Sequence, residues 1–153
     1  MIGRWLRSLR AFLRPPPKVQ AAALCLRANA ARKSGENEVL LIRSLDSGRW
    51  IIPKGWPVKG ESLARSAAIE AWEEAGVTGR IGDEAIGWIR YDKRLKGGLE
   101  EPCEAHVFVL TVEDEARDYP EAGFRTRRWF SPERAAEKVD EADLADLIRR
   151  FGV

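Results

Sequence analysis

The most informative segment of this sequence is GWPVKGESLARSAAIEAWEEAGV, residues 55–77. Within it, residues 62–75 have the apolar spacing of an amphipathic helix. Ser62 can accept a hydrogen bond at the start of this helix, and Gly76 suits the left-handed position just past its end. The apolar stripe expected to bury the helix consists of Leu63, Ala67, Ala71 and Ala75. We therefore predict one helix that follows a glycine-bounded loop, residues 55–61.

Three glutamates share one face of the predicted helix, because offsets of three and four residues bring Glu70, Glu73 and Glu74 together. No Lys or Arg stands four residues after any of them, so the carboxylates repel one another unless a cation occupies this face. A hard divalent ion such as Mg²⁺ prefers carboxylate oxygens and keeps several waters, which suits the arrangement. The alternative is a solvated acidic helix face. The loop favours the metal site, because its glycines let the backbone approach a metal–phosphate complex closely.

The same stretch resembles the signature of the Nudix hydrolases, G-x5-E-x7-R-E-U-x-E-E-x-G-U, in which U is a bulky apolar residue. The fixed positions that match with the correct spacing are Gly55, Glu61, Glu70, Glu73, Glu74, Gly76 and Val77. The resemblance extends over nearly all of residues 18–150. The segments RWIIPKG, residues 49–55, and RWF, residues 128–130, look like the branch that hydrolyses diphosphoinositol polyphosphates and diadenosine polyphosphates.

The resemblance implies roles for the residues of the motif. Glu70 and Glu74 are implied as metal ligands, with the backbone carbonyl of Lys54 or Gly55 completing part of the coordination. Glu73 is implied as a further ligand or as the general base. The implied cofactor is Mg²⁺ or Mn²⁺, which neutralises the phosphoanhydride and lowers the pKa of the attacking water. A carboxylate that removes the proton of this water typically contributes about 10²–10⁴-fold to the rate.

The sequence departs from the signature at two positions, where Ile69 replaces the arginine and Ala71 the first bulky apolar residue. In the family, that arginine is understood to orient a signature glutamate through an ion pair. Its loss leaves three outcomes open: weaker metal geometry, a slower reaction, or an inactive paralogue. We hypothesise that Arg65, four residues before Ile69, substitutes for it.

A polyphosphate substrate needs several cations around it. Arg49 and Lys54 flank the signature loop and are the first candidates, and Arg43 and Lys93 are further ones. Lys93 begins a basic, glycine-rich hairpin, residues 93–98, that is either a flap over the site or a solvated hairpin tip. The alternative for each of these basic residues is a solvated surface charge.

The remaining elements surround the helix. Strands are predicted at residues 21–26, 38–43, 50–52, 86–91, 105–112 and 127–130, and one or two helices within 132–151. This order argues for a mixed α/β sandwich rather than a doubly wound parallel sheet. The resemblance implies more specifically a Nudix-type α/β/α sandwich with a mixed β-sheet and the signature loop–helix–loop.

The composition suits one globular domain, which we place at residues 18–153. The chain has 153 residues, of which 44% are hydrophobic and 33% are charged. No uncharged apolar run approaches the roughly 20 residues that a membrane-spanning helix needs. Two cysteines, Cys25 and Cys103, are too few for a disulfide framework and have no CxxC spacing for zinc. We therefore expect a cytoplasmic protein in a reducing environment.

Residues 1–17 are predicted to form a basic amphipathic arm that ends in a proline spacer, residues 15–17. Residues 1–18 hold five of the 26 basic side chains and no acid, so 21 basic and 24 acidic side chains remain, a net charge of −3. Because the arm accounts for the positive balance, no nucleic-acid partner is expected. The arm either packs on its own domain or a partner subunit, frays, or makes a weak contact with an anionic membrane surface.

The leading functional hypothesis is a metal-dependent hydrolase that cleaves a diphosphate (phosphoanhydride) bond in a small-molecule nucleoside or inositol polyphosphate. One alternative is a pyrophosphatase of ADP-ribose or of nucleoside triphosphates. A second alternative is a binding-only Nudix domain, which Ile69 favours and the three intact glutamates oppose. The sequence carries no signal for the oligomeric state.

Overall fold

The computed structural model describes residues 16–31 and 35–153, and within them the chain forms eight strands and three helices. The strands are β1 (Lys18–Ala28), β2 (Asn37–Arg43), β3 (Trp50–Ile51), β4 (Lys54–Gly55), β5 (Val77–Ile81), β6 (Gly87–Arg94), β7 (Glu100–Glu115) and β8 (Arg127–Phe130). The helices are α1 (Leu63–Ala75), α2 (Pro132–Lys138) and α3 (Ala142–Phe151).

The strands join into one mixed sheet. Its order is β3-β2-β1-β7-β5, with β4 paired to β1, β6 to β7 and β8 to β2. Strands β1 and β7 run parallel, and the other pairs are antiparallel. Because a parallel pair needs a long crossover connection, the elements from β2 to β6 lie between these two strands in the sequence.

The central strand β1 is covered on both faces, because successive side chains of a strand point in opposite directions. Leu24 belongs to a core cluster that includes apolar residues of α2 and α3. Its neighbour Ala23 belongs to the other cluster, where it packs with the alanines of α1. Helices therefore lie on both faces of the sheet, and the predicted α/β/α sandwich is confirmed.

Helix α1 begins and ends as the sequence predicts. The Ser62 side chain accepts a hydrogen bond of 3.1 Å from the backbone N–H of Arg65. Gly76 has a φ of 67° and donates its N–H to the carbonyls of Ala71 and Trp72. Strand β8 matches its predicted bounds, whereas β1, β6 and β7 are longer than predicted. The last segment forms two helices.

Two short strands are absent from the sequence prediction. Strand β4 has two residues, Lys54 and Gly55, and pairs with β1, so the start of the predicted loop is instead the edge of the sheet. Strand β5 contains Gly79, at which an added Cβ would overlap the carbonyl of Thr111 on β7. Both strands are stabilised by pairing with distant segments, and neither carries an alternating apolar pattern of its own.

The predicted arm, residues 1–17, lies outside the described residues except for Pro16 and Pro17, which are exposed. Cys25 and Cys103 are both buried and free. In the described ranges, every helix is too short or too polar to cross a membrane.

Candidate active site

The pairing of β4 with β1 places the signature loop beside α1. A Cβ atom added to Gly55 would overlap the carboxylate of Glu70, so the Gly55 backbone and the end of the Glu70 side chain approach each other closely. The backbone N–H of Lys54 donates a hydrogen bond of 3.3 Å to Oε2 of Glu74. The structure thus brings together Gly55, Glu70 and Glu74, the positions predicted to bind metal. We call Glu70 and Glu74 the carboxylate pair.

The charge of the carboxylate pair is disfavoured in this protein. Burial is the main cause that raises the pKa of Glu70, and the negative charges of Glu73 and Glu121 add to it. Burial likewise raises the pKa of Glu74 to about 7, although the positive charge of Arg125 lowers it. A cation bound between these two half-buried carboxyls would stabilise their charged form.

Glu73 lies beside the carboxylate pair but is exposed to solvent. Its backbone carbonyl accepts a hydrogen bond of 3.0 Å from the N–H of Glu121, which ties the last turn of α1 to the segment before β8. The Glu73 side chain is therefore accessible to water, while its backbone is fixed.

Few groups beside Gly55 could bind a metal ion. Among residues 16–31 and 35–153, no three side chains of His, Cys, Asp or Glu form a preformed metal cage. Glu70 and Glu74 supply carboxylates, and the backbone at Gly55 approaches Glu70 without an intervening Cβ. This set fits Mg²⁺, which usually binds through one or two carboxylates and keeps several waters.

Both lysines predicted to bind substrate lie against aromatic rings. Nζ of Lys54 is 4.9 Å from the centroid of the Tyr91 ring, and Nζ of Lys93 is 4.6 Å from the centroid of the Trp56 ring. The positive charge of Lys93 also lowers the pKa of Lys54, so the two ammonium groups are close enough to interact. The strand β6, which carries Tyr91 and Lys93, thus brings a second cation to Lys54.

Lys54 is half-buried among polar groups that the sequence prediction missed. Burial is the main cause that lowers its pKa, and the charges of Glu74 and Glu141 oppose this effect. In the described part of the chain, Oε2 of Glu141 and Oε1 of Gln20 are buried acceptors without a hydrogen-bond partner. Gln20 lies two residues before the β1 residue that pairs with Lys54. Such acceptors are free to receive hydrogen bonds from water or from a ligand.

Arg43 and Arg49, the other two residues predicted to bind substrate, are held by different partners. Nη1 of Arg43 donates a hydrogen bond of 2.7 Å to the Gly48 carbonyl, and its guanidinium lies 4.1 Å from the centroid of the Trp50 ring. Nη1 of Arg49 is 3.2 Å from Oδ2 of Asp140. Within the described residues, no contact joins either guanidinium to the carboxylate pair. Their role in substrate binding stays a prediction.

Comparison with known families decides what kind of domain this is. The family profile described as the NUDIX domain matches residues 18–151. The chain belongs to the Nudix domain family. The resemblance found in residues 55–77 is thereby confirmed, together with the fold that it implies.

Relatives of this Nudix domain include proteins of the predicted branch. Nudix hydrolase 21, chloroplastic, of Arabidopsis thaliana is 34% identical over 119 residues, which are 76% of this chain and 58% of that protein. Diphosphoinositol polyphosphate phosphohydrolase 2 of Rattus norvegicus is 35% identical over 132 residues, which are 82% of this chain and 65% of that protein. The chain therefore spans less than two thirds of the length of either relative.

A solved structure also shows the likeness to the predicted branch. The C. elegans Ap4A hydrolase in a binary complex has a TM-score of 0.63 and 25% identity, over 88% of this chain and 94% of that one. The likeness to the diphosphoinositol and diadenosine polyphosphate branch, which residues 49–55 and 128–130 indicate, is confirmed by these names.

The Nudix signature arginine is replaced by Ile69, and the structure places a different cation at the glutamates. Arg65, our candidate substitute, is exposed, and its guanidinium forms no ion pair with another described residue. Instead, Nη1 of Arg125 lies 3.8 Å from Oε2 of Glu74. Arg125 is far from α1 in the sequence, so helix spacing did not find it. The only sequence signal for it is the unrelieved charge of the acidic helix face.

Proposed function

We propose that this Nudix domain is a divalent-metal-dependent hydrolase that cleaves a diphosphate bond in a nucleoside or inositol polyphosphate. The observation that carries the proposal is the half-buried carboxylate pair held against the backbone of Lys54 and Gly55. The raised pKa values of Glu70 and Glu74 support it, because a cation would relieve the cost of their burial. The substrate class is supported by the names of the rat phosphohydrolase and the C. elegans Ap4A hydrolase.

The proposed metal is Mg²⁺ or Mn²⁺. Nudix hydrolases generally use divalent metals. In this chain Glu70, Glu74 and the backbone carbonyl of Gly55 or Lys54 would hold the ion. When bound, it supplies charge neutralisation at the phosphates and a lowered pKa for a water molecule.

The side chains around the carboxylate pair have separate proposed tasks. Glu73 is the proposed general base, because its exposed carboxylate stands beside Glu70 and is open to a water molecule. Lys54 and Lys93 are proposed to bind phosphate oxygens, since the two ammonium groups are close enough for the charge of Lys93 to lower the pKa of Lys54. Arg43 and Arg49 are kept as proposed contacts to more distant phosphates of a long substrate.

The test is product release from a panel of diadenosine polyphosphates, diphosphoinositol polyphosphates, ADP-ribose and nucleoside triphosphates, with and without Mg²⁺ or Mn²⁺. We expect metal-dependent turnover of one of the first two classes. Glu73→Gln is expected to lose it, whereas Glu137→Gln, an exposed glutamate on α2, serves as the matched control. Turnover that survives in Glu73→Gln would show that the base is assigned wrongly.

Two other outcomes favour the alternatives. Turnover confined to ADP-ribose or nucleoside triphosphates would keep the chemistry and change the substrate class. Tight binding of a panel member without turnover in the presence of metal would favour a binding-only domain, the alternative that Ile69 suggests.

The proposed compartment is the reduced cytoplasm. It is supported by the free state of Cys25 and Cys103. The proposed partner is a small-molecule polyphosphate rather than a nucleic acid.

A further inference from the structure

A buried arginine joins carboxylates from two distant segments. Arg125 lies just before β8, and its side chain is only 7% exposed. Its Nη2 is 2.9 Å from Oε1 of Glu121, and its Nη1 is 3.8 Å from Oε2 of Glu74. Nη1 also donates a hydrogen bond of 3.5 Å to the carbonyl of Arg43. Burying a guanidinium is costly unless it is paired, so these contacts stabilise the buried charge of Arg125.

The backbone on either side of Arg125 is fixed. On one side, the N–H of Glu121 donates to the carbonyl of Glu73 in the last turn of α1, at 3.0 Å. On the other side, the N–H of Arg43 on β2 donates to the carbonyl of Thr126, also at 3.0 Å. The fixed backbone therefore places the guanidinium beside Glu74, and Arg125 is not a freely rotating surface side chain.

We propose that Arg125 is a positioning residue that holds the Glu74 carboxylate in the orientation needed to bind metal, and that it replaces the arginine absent at position 69. Arg125 acts through Glu74 and has no contact with substrate in this role. The inference rests on the proposed function in one respect, that Glu74 is a metal ligand. Loss of such an outer-shell partner typically weakens metal affinity by about 10–100-fold.

The test is Mn²⁺ binding to the metal-free chain of 153 residues, measured from the electron paramagnetic resonance signal of free Mn²⁺. We expect Arg125→Gln to weaken the affinity by about 10–100-fold, and Arg125→Lys, which keeps the charge, to recover part of it. Arg128→Gln is the matched control, because Arg128 is an exposed arginine three residues further along. It is expected to change the affinity by less than about twofold.

A second arm tests the replacement itself. Ile69→Arg, added to Arg125→Gln, is expected to restore Mn²⁺ affinity, because it returns an arginine to α1 next to Glu70. Should Arg125→Gln alone fail to fold, this double variant decides: a folded protein with recovered affinity supports the proposal, and a protein that is unfolded or binds no Mn²⁺ overturns it.

Other results overturn the inference directly. Wild-type Mn²⁺ affinity in a folded Arg125→Gln variant would contradict the positioning role. A loss that neither Arg125→Lys nor Ile69→Arg recovers would identify a merely structural arginine. A wild-type protein that binds Mn²⁺ but hydrolyses no panel member contradicts the proposed hydrolase alone, since the binding data still decide the role of Arg125.

Discussion

Gly55 and Glu70 are in direct contact, and the space between the β4 backbone and the Glu70 carboxylate does not admit a Cβ atom. This contact joins the edge of the sheet to the middle of α1. Because β4 is held by hydrogen bonds to β1, a change at Gly55 must be accommodated by the carboxylate and not by the strand. The geometry of the carboxylate pair therefore depends on residue 55 being a glycine, which has no side chain.

Gly55→Ala is expected to displace the Glu70 carboxylate and to lower metal-dependent kcat/KM by about 10–100-fold. The added methyl group meets the end of a flexible side chain, so the fold is expected to persist. Gly123→Ala is the matched control, because nothing lies within 4 Å of a Cβ built there. Unchanged kcat/KM and Mn²⁺ affinity in Gly55→Ala would contradict a metal site at this contact.

The buried carboxyl of Glu74 predicts that the metal-free protein loses stability as the pH rises. Burial raises its pKa from 4.5 to about 7 in the folded state. Between these values the folded protein binds more protons than the unfolded chain, so the free energy of unfolding falls as the pH increases through this window. The fall from this group is at most about 3 kcal/mol.

Urea unfolding in EDTA at several values between pH 5 and pH 8 measures this effect. Glu74→Gln cannot ionise, and its free energy of unfolding is expected to vary less over the same range. Addition of Mg²⁺ at pH 8 is expected to restore stability to the wild type by binding the folded state. An equal pH dependence in wild type and Glu74→Gln would show that another group is responsible.

The parts of the site that follow from the sequence are those fixed within one segment. Ser62, Gly76 and the three glutamates can be assigned because caps and helix faces depend on residues a few positions apart. The same spacing identifies the absence of a compensating cation on α1.

The parts that the sequence does not predict depend on contacts between distant segments. Strand β4 exists because Lys54 and Gly55 pair with β1, and no local pattern marks two residues as a strand. The partner of Glu74 is Arg125, one of many arginines in a chain with 26 basic side chains, and only the fold selects it. Arg127 lies only two residues after Arg125, yet it donates a hydrogen bond of 2.7 Å to the carbonyl of Ala75 and caps the end of α1.

Ser62→Ala is expected to destabilise the protein by about 1 kcal/mol without removing any group of the candidate site. The Ser62 side chain accepts the hydrogen bond of the Arg65 N–H at 3.1 Å, and alanine leaves this donor without its partner. Thermal unfolding measures the loss. Ser62→Asn retains a side-chain acceptor and is expected to remain within a few tenths of a kcal/mol of wild type, so equal losses in both variants would contradict a capping role.

Lys54→Met is expected to separate substrate binding from stability. Methionine keeps an unbranched side chain against the Tyr91 ring but removes the charge, whose burial lowers the pKa of Lys54. A charged hydrogen bond to phosphate is worth about 1.5–3 kcal/mol, so kcat/KM is expected to fall by about 10–100-fold.

The free energy of unfolding of Lys54→Met is expected to stay the same or to rise, because the folded protein no longer buries an ammonium group. Lys59→Met is the matched control, because Lys59 is exposed in the loop that follows β4, and it is expected to change neither quantity. A Lys54→Met protein that is less stable but retains its kcat/KM would show that Lys54 supports the fold and does not bind the substrate.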